Sequence, residues 1–141
     1  MKRFFTLLLG FICVISMVSC AEKASSPLSG IEDTSMILLS YTAEGEERGI
    51  TFSDSQTVVH ICENLKSLTL EPLKNSPENK AVYNLVFYGE TAKDELMLVE
   101  IIDNHTVVLE GTSYQVTEGE LDIAYLEEAI ETMEYVLSTT N

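Results

Sequence analysis

VYNLVFYGETAKDELMLVEIIDNHTVVLEGTSYQVT, residues 82–117, decides how this chain folds. Runs rich in β-branched and aromatic residues occupy 82–88, 95–102, 106–110 and 113–117, and turn-forming residues divide them: Asp103, Asn104 and His105 between the second and third runs, Gly111 and Thr112 between the third and fourth. The pattern predicts a four-stranded meander. In the last strand Tyr114 and Val116 recur at the period of two that gives a strand one apolar face. Residues 85–88 and 96–102 are instead apolar at consecutive positions, so those strands offer apolar side chains to both faces.

Toward the C-terminus, Leu126, Ile130, Met133 and Leu137 recur at helical spacing opposite Glu127, Glu128, Glu131 and Glu134. Asp122 is the expected N-cap, with Leu121 and Leu126 placed as a hydrophobic staple. Toward the N-terminus, Pro72 and the run Lys74-Asn75-Ser76-Pro77-Glu78-Asn79-Lys80 end a short extended piece in a surface loop. Before it, Val58, Ile61, Cys62, Leu65 and Leu68 make the apolar stripe of a first helix. Ser53 and Gln56 have the spacing of a capping box at its start. Residues 34–41 read as a strand, 43–49 as a loop and 50–52 as the returning strand, with Ile50 and Phe52 on one face.

The expected fold is therefore α+β: an antiparallel sheet of about five to seven strands with two amphipathic helices, in the order β-β-α-(β)-β-β-β-β-α. Two helices can cover both faces of such a sheet only by separating. In α+β folds helices gather on one side of an antiparallel sheet, which here would leave Val86, Tyr88 and their cross-strand neighbours facing water. A monomer rarely exposes more than a few hundred Å² of contiguous apolar surface without using it, so Val86 and Tyr88 mark the candidate interaction surface.

The chain begins with Lys2 and Arg3 followed by an apolar run over 4–18 broken only by Thr6, Gly10 and Ser16. That run falls short of the roughly 20 residues of a membrane-spanning helix and has the form of a signal peptide. Met17-Val18-Ser19-Cys20 resembles the lipobox of bacterial lipoproteins, departing from it at Met17, where leucine is usual. The resemblance implies that the Cys20 thiol receives a diacylglyceryl group and becomes the N-terminus, so that acyl chains tether the protein to a membrane. Ordinary cleavage after Ala21 is the other reading and would leave a free secreted domain. The resulting organisation is a lipoprotein signal peptide over 1–19, lipidated Cys20 and a tether over 20–33, one α+β domain over 34–138 and a tail over 139–141.

Loss of Lys2 and Arg3 with the leader takes the formal charge from −15 to −17. Such a field disfavours nucleic acid and anionic lipid headgroups as ligands and favours cationic partners. With Cys13 in the leader and Cys20 acylated, Cys62 has no partner for a disulfide within the mature chain. Its place on the apolar stripe predicts a small buried hydrophobe.

Candidates for chemistry are few. His60 and His105 lack companions at metal-ligand spacing and read as a solvated helix residue and a turn residue. No Gly-x-Ser-x-Gly or Ser-x-x-Lys occurs. Glu44, Glu46 and Glu47 flank a glycine in the 43–49 loop without the EF-hand spacing that would argue for calcium. Asn104-His105-Thr106 matches a glycosylation acceptor, which has no role in a bacterial lipoprotein. No catalytic residue, metal site or cofactor is assigned.

Three strings, GTSYQVTEGELDIAYLEEAI, ITFSDSQTVVHICENLKSL and YNLVFYG, make residues 34–132 similar to a family of small uncharacterised extracytoplasmic domains of Gram-positive bacterial lipoproteins. That resemblance implies a fold and a compartment and carries no activity. Two readings of function follow: a membrane-anchored, non-enzymatic module binding a protein or envelope component, or a small envelope hydrolase or metal-dependent enzyme whose site is assembled from scattered residues.

Overall fold

A computed structural model describes residues 26–140; the signal peptide and Cys20 lie outside the described residues. A 3-10 turn at Ser29–Ile31 precedes strands β1 (Met36–Ala43) and β2 (Glu46–Phe52), helix α1 (Ser55–Lys66), strand β3 (Thr69–Pro72), the meander β4 (Tyr83–Tyr88), β5 (Glu95–Asp103), β6 (Thr106–Leu109) and β7 (Thr112–Glu118), and helix α2 (Ile123–Thr139). The strands form one antiparallel sheet in the order β2-β1-β4-β5-β6-β7-β3. The α+β architecture expected from the sequence is the observed one.

Burial alternates along the central strands, and one set of positions carries the core: Ile37 and Leu39 of β1, Leu85 and Phe87 of β4, Met97, Val99 and Ile101 of β5. Val58, Ile61, Cys62 and Leu65 of α1 and Leu126 and Ile130 of α2 join that same cluster, so both helices lie on one face. Leu28 and Ile31 close one end of it from the 3-10 turn.

Local chemistry differs from the sequence reading at three points. The polar residues 46–49 belong to β2, and the loop shrinks to Glu44 (φ 55°) and Gly45 (φ 83°), a two-residue turn whose left-handed residues match the twist of the flanking strands. The N-cap of α1 is Asp54, which accepts a 2.8 Å hydrogen bond from the Thr57 amide; no Ser53 box forms, because the carboxylate one residue on is the better acceptor at a helix N-terminus. In α2 the buried stripe ends at Ile130, with Met133 only partly covered and Leu137 54% exposed. Asp122 caps that helix as expected, accepting from the Tyr125 amide at 3.1 Å, and Leu121 and Leu126 are both buried.

Topology explains the rest. Since β3 pairs with β7 at the far edge while β4 pairs with β1 in the middle, residues 73–82 must bring the chain back from edge to centre. They do so over the face the helices leave free, running from the Leu73 amide bonded to the Ser113 carbonyl to the Val82 amide bonded to the Ile101 carbonyl.

Candidate functional site

The helix-free face divides into two halves. On one, strand register aligns Leu38 with Val86 and Val86 with Leu98, and sets Met36 opposite Tyr88. All five side chains are half-buried and make an apolar strip across the three strands. Val86 and Tyr88 lie on the face opposite both helices and are short of full burial.

The other half lies beneath the crossover. Here register makes one row of Ser40, Asn84, Glu100, Val108 and Ser113 across five strands. Ile102 and Val108 are 7% and 8% exposed although no helix covers them. Ser76, Pro77, Lys80 and Ala81 of the crossover stand over this row and enclose a groove of about 590 Å³.

On the helical face, two clusters tie the helices down. His60 is more than the solvated residue expected: its ring stacks on Tyr125 at 3.7 Å between centroids, and Nε2 lies 3.0 Å from Asp122 Oδ2. Asn64, one turn further along α1, donates to the Glu120 carbonyl and accepts from the Asp122 amide. Together they fasten α1 to the start of α2. The hydrogen bond from His60, with help from the Tyr125 amide, holds the Asp122 carboxyl below its ordinary range. A hydrolase would need that histidine beside further carboxylates in a roomy polar pocket. Among the described residues the carboxylate bonded to His60 is that of Asp122, over an apolar cleft of about 10 Å³, no more than one water occupies.

Glu134 is the second departure. Rather than joining Glu128 and Glu131 in water, it accepts from the Tyr41 hydroxyl and from Arg48 Nη1, the latter at 2.9 Å. These two bonds lower its carboxyl, and burial followed by the same carboxylate raises the Tyr41 phenol. Arg48 also reaches Glu44 at 3.3 Å, so the acidic hairpin is closed by a cation of the protein's own. Among the described residues no group of three metal-ligating side chains converges. Cys62 is free and buried, and burial pushes its thiol up. His105 is exposed in its turn, where its amide donates to Asp103 Oδ1 at 2.8 Å.

The crossover groove was not foreseen. Its only signal in the sequence was the polar pair Asn84 and Glu100 within otherwise apolar strands, and nothing local reveals that the two stand side by side. Among the described residues no helix is long and apolar enough to cross a membrane. Comparison of the chain with protein-family models, with curated proteins and with solved structures finds no match.

Proposed function

We propose that this protein is a lipid-anchored, extracytoplasmic binding module without catalytic activity of its own, tethered through Cys20 and meeting a protein partner through the helix-free face of its sheet. The observation that carries this reading is the strip of Met36, Leu38, Val86, Tyr88 and Leu98, left half-exposed on the side away from both helices. Apolar rows in mid-sheet cost solubility unless something covers them. Glu110 and Glu95 border the strip at Leu98 and Tyr88, so the complementary partner presents apolar side chains flanked by lysine or arginine. The resemblance to extracytoplasmic lipoprotein domains supports the same compartment.

Two measurements test the two halves of the proposal. The mature protein should partition into detergent and sediment with membranes, and Cys20→Ser should abolish both; unchanged partitioning of the variant removes the anchor. A photo-crosslinking residue at position 86 or 88 should form discrete adducts in cells, while one at position 128 on the outer side of α2 should not. Equal adducts from both faces, or none from the strip, would remove the binding surface.

A further inference from the structure

We propose that the groove beneath the crossover binds an alkylammonium group, supplied either by a free amine or by a lysine side chain of a partner. The inference rests on the reading of the helix-free face as the binding face and assigns a ligand chemistry to its covered half.

The first observation is unmet hydrogen-bonding capacity. Ser113 is only 7% exposed and its hydroxyl lines the groove with no hydrogen bond among the described residues. Among the described residues no fully buried side-chain oxygen or nitrogen lacks a partner, so this oxygen faces the groove, where a ligand can reach it. Asn84 and Glu100, paired directly across β4 and β5, are half-buried on the same floor and their side chains are equally unengaged. A carboxylate, an amide and a hydroxyl in one row need a ligand rich in donors.

Charge decides the sign. Glu47 and Glu100 both line the groove against a single cation, Lys80, and Lys80 forms no ion pair among the described residues. The whole molecule adds a formal charge of −15. An anion entering here meets a repulsive field and few donors, whereas a cation finds two carboxylates.

The apolar lining decides the shape. Val108, which stands in the row between Glu100 and Ser113, and Ile102 give the groove a buried apolar floor, with Ala81 on the crossover above. An aliphatic stem can lie on these residues while its charged end reaches Glu100 and Asn84, as long cationic side chains do on protein surfaces. A volume of about 590 Å³ accommodates such a group.

The test is an NMR titration of the full chain carrying Cys20→Ser with three probes: cadaverine, a capped Gly-Gly-Lys-Gly-Gly peptide, and hexanoate as an anion on a similar stem. Both cations should shift the amides of residues 80–84, 100–102 and 113, with affinity falling as salt rises; tighter binding of the peptide than of cadaverine identifies a protein lysine as the source, and the reverse a free amine. Glu100→Gln should weaken cation binding about tenfold at unchanged melting temperature. Ser113→Val, which fills the floor without altering charge, should also weaken it. Saturable binding of hexanoate, absence of cation shifts, or full affinity in Glu100→Gln would overturn the proposal. Val86→Ser lies outside the groove and should leave cadaverine binding intact, so failure of the apolar strip and failure of the groove are read separately.

Discussion

Asp122 serves three structures with one carboxylate: it caps α2 through the Tyr125 amide, holds the His60 imidazole, and through its own amide is held by Asn64. Its carboxyl is depressed in the folded protein, so the stabilisation it brings is complete above the unfolded value near 3.9 and disappears as pH falls through the lower folded value. Asp54 and Glu134 carry shifts of the same sign. Asp122→Asn keeps the capping oxygen and removes the charge, so its melting temperature should lie below that of the parent protein at pH 6 and converge with it in acid. Asp122→Ala removes the cap as well and should cost about 1 kcal/mol at neutral pH. A constant difference for Asp122→Asn from pH 6 to pH 2 would show that the charge contributes nothing. Cys62 gives the companion expectation. Native protein should resist thiol reagents that label the unfolded chain at once, and Cys62→Ser should cost on the order of 1–3 kcal/mol through a hydroxyl placed in an apolar stripe. These residues were legible in part: the buried thiol and the Asp122 cap follow from helical spacing, while the stacking of His60 on Tyr125 joins two helices and has no local signature.

At the scale of elements, strands and helices follow the periodicity, and the misreadings occur where polarity and structure disagree. Glu46, Glu47, Arg48 and Gly49 look like loop because three are charged and one is glycine, yet an edge strand with half its residues in water tolerates that composition. The cap moved by one residue for a comparable reason, since Ser53 and Asp54 are both good caps and only the geometry selects between them. The connection from β7 to α2 carries a stricter demand. Gly119 has φ +82°, and a Cβ there would meet Leu68 Cδ2 at 3.2 Å and the Ser67 carbonyl oxygen at 3.3 Å. Gly119→Ala should therefore destabilise by on the order of 1–2 kcal/mol or more, combining left-handed strain with displacement of the residues that end α1. Chemical denaturation checks it; a variant as stable as the parent would mean that the turn relaxes freely. Gly45, with a similar φ and nothing near its absent Cβ, should show the backbone strain without the clash.

For the whole molecule, the governing facts are an acidic surface and a sheet with helices on one side. The formal charge is −15 over 141 residues, and ion pairs with Lys or Arg among the described residues are confined to Arg48 and Lys66. Self-repulsion of that size should be relieved by screening. Raising sodium chloride from about 10 mM to about 500 mM, across which the screening length shrinks severalfold, should raise the melting temperature; a decrease would place the net weight on attractive pairs instead. One-sided helices were an expectation from the tendency of α+β folds to gather helices on one side of an antiparallel sheet, whereas the double-faced apolarity of β4 and β5 was equally compatible with one helix on each face. The crossover's path was not legible, because it depends on β3 pairing with the last strand of the meander rather than with its neighbour in sequence.

That pairing also sets an order of events for the newborn chain. The hairpin of β1 and β2 and the meander of β4 to β7 consist of contacts near in sequence, whereas joining them requires Tyr41 to find Tyr83 and Thr69 to find Glu118. Distant contacts of this kind incur loop-closure entropy before they return any stabilisation, so they form late. While synthesis proceeds from the N-terminus, β3 has no strand to pair with until residues 112–118 have emerged. The native core, which includes Leu126 and Ile130 of α2, is thus complete only when nearly the whole domain is present.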